Sequence, residues 1–395
     1  MRKMRSLTTC AAVLAAAVFL VAAGRARPAA ADRKKAAQEK ERQLIAVLES
    51  NAPPKDKALP CKQLAIYGSG AAVPALAALL PDRELASWAR IALEAIPDPA
   101  ADDALRQAMG KLKGRLLIGV INSIGVRRDA KAVDALVRRL RDADADVASA
   151  AAEALGRIGG DKAAQALERS LPGAPAKVRS AVAYGCVLCA ERQLAEGEAG
   201  AAAKLFETVR SADVPKQRRL EATRGAILAR KSAGIELLIE QLRSADKAFF
   251  GIALRTAREL PGGEVTEALV AELGKAKPDR QLLLLPALAD RRDPKALPAV
   301  LKTAGSGRGD VRIAAMGVLE RLGNVSCVPV LLDAALESDA ALAKAAATTL
   351  ARLAGEDVDA DLLARLPKAS AGMRKLLIEL AGRRQIASAL PTIVQ

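Results

Sequence analysis

Cys186 and Cys189 stand three apart in AVAYGCVLCAERQL, a spacing at which two thiols can share a helix face, form a redox couple or open a metal site. The segment reads as a helix interior, where both serve as small core residues. A disulfide or redox pair and a metal site are the competing readings. No histidine follows to make a haem-attachment motif, and zinc wants four ligands while Cys61 and Cys327 lie far off along the chain.

Asp142, Asp144, Asp146 and Glu153 match positions 1, 3, 5 and 12 of a calcium loop. The match fails at position 6, where Val147 stands in place of the glycine that a sharp turn demands. Acids there suit a helix start, capping its amides and opposing its dipole. Glu356, Asp357, Asp359 and Asp361 read the same way.

The chain has no histidine. That removes the commonest general base and metal ligand, and with them the Ser-His and Cys-His nucleophile pairs. Carboxylates, Lys, Tyr and Cys form no recognisable catalytic constellation, so no catalytic, cofactor or metal residue is expected. Four basic pairs do recur: Arg127-Arg128, Arg230-Lys231, Arg291-Arg292 and Arg383-Arg384. They allow two readings, cations that complement the negative end of a helix dipole or an edge that meets an anionic ligand. Arg138, Arg139 and Arg141 add charge outside that register.

The elements that carry these residues repeat. With Leu155 as anchor, equivalent positions before a similar turn are Leu93, Ile124, Ala257, Leu288, Leu319 and Leu350, each 31 residues from its neighbour within a block, with Leu380 30 after Leu350. A 31-residue period accommodates two helices of about three turns each and two short turns, a hairpin too thin to bury its apolar face alone. Asp98, Asp129, Asp161, Asp293 and Asn324 stand where helix N-caps are needed, and Gly159, Gly160 and Gly323 close the preceding helices. Three of the four basic pairs fall at anchor +3 and +4, and Arg230-Lys231 one residue earlier. Trp88, at core spacing with Leu85, is expected to pack inside.

These units resemble HEAT repeats, specifically the short class similar to the phycobilisome-lyase repeat. The pattern is carried by Asp144, Val147, Ala150, Ala151, Ala154, Leu155, Gly156, Ile158 and Gly159. It recurs at Asp310, Val311, Arg312, Ala314, Ala315, Leu319, Leu322 and Gly323. The resemblance implies an all-α solenoid, a superhelix of about ten stacked antiparallel hairpins. It also implies protein binding more often than catalysis; an iron-dependent hydroxylase of this class would need the absent histidines.

Five segments follow. Residues 1–31 read as a signal peptide: Arg2, Lys3 and Arg5 precede the apolar run Leu7 to Ala23, and Ala29-Ala30-Ala31 offers a cleavage site. An uncleaved membrane anchor is the rival reading. Residues 32–60 form a charged capping helix and lead-in, and 61–170 the first block of repeats. Residues 171–215 are an irregular, longer segment similar to a tetratricopeptide hairpin, and 216–395 the second block, read as truncated at its C-terminus.

Hydrophobic residues make up 51% of the 395 and aromatics 2%, a balance that favours closely stacked Ala/Leu helices over a thick mixed core. A formal charge of +16 falls to +11 without the five cations of residues 1–31. Acidic polymers or anionic surfaces become plausible partners, but with so few stacking platforms a specific nucleic acid is not expected. The resulting expectation is a non-catalytic, protein-binding scaffold in the periplasm or outside the cell, using a concave face lined by second helices, with membrane contact only through an uncleaved leader. The alternative is an accessory N-terminal module, or a lyase- or chaperone-like subunit, of a larger enzyme.

Overall fold

The computed structural model describes residues 30–391, so the expected leader lies outside the described residues but for its last two. Among the described residues, every regular element is a helix. They divide into two compact units, one ending at Ile158 and one beginning at Gly159.

The first unit opens with α1 (Ala30–Glu49), the charged helix expected ahead of the repeats. Its Leu44 and Leu48 are buried, and it packs on α2 (Pro54–Tyr67). The buried Glu41 carboxylate accepts from the Ser69 amide at 2.6 Å and the Ser69 hydroxyl at 2.8 Å, tying the cap to the turn that follows α2. Hairpins follow in order: α2 with α3 (Val73–Ala78), α4 (Ala86–Ala95) with α5 (Pro99–Lys111), α6 (Gly114–Arg127) with α7 (Val133–Arg139), then α8 (Ala145–Ile158). First helices stack on first helices, α2 on α4, α4 on α6 and α6 on α8, while α3 packs on α5.

The second unit begins with α9 (Asp161–Ser170) and three longer helices, α10 (Ala176–Ala195), α11 (Ala199–Ser211) and α12 (Lys216–Arg230). Regular hairpins resume with α13 (Ile235–Arg243), α14 (Lys247–Glu259), α15 (Gly263–Leu273), α16 (Pro278–Arg291) and α17 (Leu297–Ser306). The series ends with α18 (Gly309–Leu322), α19 (Val328–Ala335), α20 (Ala340–Arg352), α21 (Glu356–Arg365) and α22 (Ala371–Arg383). Again α10, α12, α14, α16, α18, α20 and α22 each pack on the next of that series. Each unit is thus an α-solenoid stack, in which a hairpin borrows its core from its neighbours.

The anchors explain the period. Leu93, Ile124, Leu155, Ala257, Leu288, Leu319, Leu350 and Leu380 are all fully buried, the leucines and isoleucine contributing roughly 2 kcal/mol each. Among the longer helices Val187 and Ile227 are buried, while the neighbouring Leu188 and Leu228 are only half-buried. The α10 helix runs 20 residues where the first helices of the regular hairpins run 10 to 14, which accounts for the lost phase.

The turns divide the expected caps. Asp98, Asp129, Asp293 and Asn324 accept from the amide two residues on, at 2.8 to 3.0 Å. Asp161 does not: it is already the first residue of α9, and Gly160, at φ 79°, takes the cap position. Gly159 shares that left-handed backbone at φ 73°, whereas Gly323 is extended. Gly323 is small for another reason, since a Cβ there would lie 2.5 Å from the Leu319 carbonyl oxygen and 2.7 Å from Leu353.

Candidate functional site

Arg127, at the end of α6, turns its guanidinium back onto the preceding repeat. It donates to the carbonyl oxygens of Leu93 and Ile96, both at 2.6 Å, and to the Asp102 carboxylate at 2.5 Å. Those carbonyls close α4, where the last turn of a helix has no intrahelical partners. A planar fork with five donors can serve several of them at once.

The second unit repeats this geometry twice. Arg291 donates to the carbonyls of Ala257 at 2.5 Å, Leu260 at 2.7 Å and Gly262 at 2.6 Å, and to the Thr266 hydroxyl at 2.9 Å. Arg384 reaches the carbonyls of Leu350 at 2.5 Å and Leu353 at 2.6 Å, and the Asp359 carboxylate at 2.5 Å. All three arginines bridge to residues 34, 31 and 25 positions earlier. Arg127 and Arg384 are only 9% and 7% exposed in their side chains. Burial pushes the Arg291 guanidinium below its ordinary value, with Asp293 opposing that shift.

The residue after each strut adopts a left-handed backbone: Arg128 at φ 56°, Arg292 at φ 53° and Gln385 at φ 57°. Around Arg128 and Gln385 the amides make the paired 5→2 and 6→1 bonds of a Schellman turn, a place glycine usually fills. This fixes the register of the last repeat one residue later than the sequence suggests. The strut there is Arg384, its anchor equivalent is Ala381, and Arg383 instead lies within 3.7 Å of Glu379 on its own helix.

Arg230 precedes another left-handed residue, Lys231 at φ 51°, but bonds Glu207 at 2.8 Å instead of a helix end. Glu207 also holds Arg210, and these contacts bring its carboxyl down to about 2, Arg210 being the main cause. Of the eight basic residues singled out, Arg127, Arg230, Arg291 and Arg384 therefore spend their guanidinium groups on the protein itself. Arg128 in the first unit, and Lys231, Arg292 and Arg383 in the second, are exposed.

A second set of ion pairs joins first helices. Asp290 accepts from Arg258 at 2.7 Å and from Arg321 at 3.0 Å, and Arg352 reaches Glu320 at 3.2 Å. Arg258 and Arg321 hold the Asp290 carboxyl below the usual carboxylate range.

The remaining sequence candidates have structural places. Cys186 and Cys189 are buried in α10, and burial pushes both thiols up, Cys189 to about 12. Asp142 and Asp144 accept from the Asp144 and Asp146 amides at 3.1 and 2.9 Å, forming the turn that starts α8. Among the described residues no group of His, Cys, Asp and Glu is arranged to hold a metal ion. Trp88 corrects an expectation: it is 37% exposed on α4, and Leu85 takes the buried position. With it Leu59, Ile66 and Tyr67 on α2 and Ile91 on α4 are exposed. A composition poor in aromatics gives such a surface no conspicuous sequence signal.

Stacked hairpins joined by side-chain struts define the class: an α-solenoid repeat protein. Residues 114–185 match the family of HEAT repeats. No curated protein matches the chain. Among solved structures it is similar to an engineered protein, at 20% identity over 90% of this chain and 99% of that one, with a TM-score of 0.27. It is also similar to human deoxyhypusine hydroxylase, at 18% identity over 71% and 95%, with a TM-score of 0.31. For importin beta the values are 14% identity, 92% of this chain, 56% of that one and a TM-score of 0.43.

Proposed function

We propose that the protein is a non-catalytic scaffold that binds another protein in an extracytoplasmic compartment. The observation that carries the binding role is the apolar side-chain set on α2 and α4, two helices that pack on each other: Leu59, Ile66, Tyr67, Trp88 and Ile91. Exposed large apolar groups gathered on adjacent elements mark interaction surfaces, and Trp and Tyr dominate binding hot spots. This supports a contact on first helices, on a different face from the second helices expected from the repeat pattern. The basic, acid-free start of the chain with its apolar run supports export. Exposed Lys231 and Arg292 on left-handed turns support an additional basic edge for an acidic segment of the partner.

Affinity capture from the envelope fraction with the wild-type chain and with Trp88→Ala/Ile91→Ser tests the binding role. A partner lost selectively from the variant is expected; an identical captured set overturns the assignment of this face. For export, residues 1–60 fused to a phosphatase that is active only outside the cytoplasm should give active enzyme, and an inactive fusion overturns the address.

A further inference from the structure

The starts of α4 and α6 enclose a cleft of about 690 Å³ with an unusual charge balance. Arg83 precedes α4, Ser87 and Arg90 lie on it, and Lys113 and Arg115 flank Gly114 at the start of α6. Among the described residues no carboxylate lines this cleft. The side chains of Arg83, Lys113 and Arg115 make no hydrogen bond or ion pair among the described residues. Asp82, next to Arg83, is committed to the amides of Glu84 and Leu85 at 2.8 and 3.0 Å, and exposed Glu84 is not part of the wall.

Arg90 is held in place from behind. Its guanidinium donates to the Gly119 carbonyl at 3.0 Å and the Ser123 hydroxyl at 3.3 Å, and Ser123 donates to Glu94 at 2.6 Å. A Cβ on Gly119 would sit 2.8 Å from the guanidinium carbon, so glycine is what lets Arg90 lie against α6. Burial pushes Arg90 below its ordinary value, with Glu94 opposing, so a bound anion would relieve an existing cost.

The α6 terminus adds to the field. Helices α14 and α20 begin with a capping Asp, Asp246 and Asp339, and the Asp142–Asp146 turn leads into α8. In α6 the cap position is Lys113, without a side-chain cap bond, and the first turn has no acid. Cations at the positive end of a helix dipole cost about 0.3–1 kcal/mol each, while open amides there receive anions. A second cleft of this unit, walled by Arg106, Arg138, Arg139 and Arg141, also contains Asp142, which Arg139 bonds at 2.7 Å. Its charge is partly matched from within.

We infer that the cleft between the starts of α4 and α6 binds a tetrahedral oxyanion, phosphate or sulfate, free or carried as an ester whose organic part the remaining volume accommodates. Arg90 supplies a preset fork, Arg83, Lys113 and Arg115 neutralise the charge, and the open α6 amides and the Ser87 hydroxyl complete the donors.

Isothermal titration of the full chain with inorganic phosphate, sulfate and phosphoserine at constant ionic strength tests this. Saturable binding with a dissociation constant of order 1 mM or tighter is expected, weakened at least about tenfold in Arg83→Gln/Lys113→Gln/Arg115→Gln and unchanged in Arg138→Gln/Arg141→Gln. Circular dichroism monitors folding of both variants, and Arg115→Gln alone, at an exposed position, provides a milder second test. Sedimentation with phosphatidylglycerol vesicles against phosphatidylcholine vesicles separates the sources: selective sedimentation assigns the oxyanion to a lipid headgroup, and phosphoserine binding without it assigns a soluble ester. Absence of saturable binding to every probe, or equal weakening in both variants, overturns the proposal.

Discussion

The Arg127 guanidinium donates to the carbonyl oxygen of Leu93, 34 residues earlier, at 2.6 Å. A side chain from one repeat thereby finishes the hydrogen bonding of a helix end in the repeat before it, and Arg291 and Arg384 do the same. Charge and geometry both matter, because several carbonyls share one planar group.

Replacing Arg291 by Ala is expected to lower stability by about 2–4 kcal/mol, since charge-assisted bonds to the carbonyls of Ala257, Leu260 and Gly262 and to Thr266 disappear together. Arg291→Lys should recover less than half, as a single ammonium cannot reproduce the fork. Urea unfolding followed by circular dichroism measures both; full rescue by Lys would mean that charge alone matters.

At Arg292 the side chain is carried on a left-handed backbone that glycine adopts freely. Arg292→Gly should therefore stabilise the fold by about 1 kcal/mol, read as a higher midpoint. If the exposed cations form a ligand edge, Lys231→Gly/Arg292→Gly should also elute earlier from an anionic matrix. Unchanged elution would leave these residues a backbone role only.

Glu207 supplies an acid limb. Its carboxyl sits at about 2 in the fold against an ordinary 4.5, chiefly because Arg210 bonds it. A depressed carboxylate stabilises above its unfolded value and loses that contribution as pH falls from about 4.5 towards 2. Glu207→Gln should therefore be less stable than wild type at neutral pH, with the gap shrinking through that window in a series of thermal melts. A constant gap would show that the ion pairs with Arg210 and Arg230 contribute nothing.

The thiols of Cys61, Cys186, Cys189 and Cys327 are all buried and raised by burial. In a Cys10→Ser variant, iodoacetamide at pH 8 should modify none of them in the native state and all four in denaturant. Rapid native labelling of Cys186 or Cys189 would revive the redox reading of their spacing.

Much of the stack was legible because its period is written in residues that must be buried: Leu93, Ile124, Leu288, Leu319 and Leu350 are both the sequence anchors and fully inaccessible. The struts were half legible. Arg127 and Arg291 stood out by register, but an arginine at a helix end looks the same whether it faces solvent or reaches the preceding repeat. Arg384 was hidden beside Arg383, because a hydrophobic pattern that tolerates either Leu380 or Ala381 cannot fix phase to one residue. Trp88 misled because helical spacing to Leu85 does not say which of the two faces inward. The basic cleft left a weaker trace, the Lys-Gly-Arg start of α6 where α8, α14, α16, α18 and α20 carry an acid; its other half comes from a different hairpin, and no linear motif spans the two.

The constant 34-residue reach of the struts makes each one a ruler. Gaining or losing a few residues between anchor and arginine slides the fork off the carbonyls it serves, whereas removing a whole 31-residue unit brings the next helix end back into the same place. Evolutionary change in this chain is thus quantised: it can be lengthened or shortened by complete modules far more readily than by single residues, and the long helices α10 to α12 mark a place where that rule is suspended.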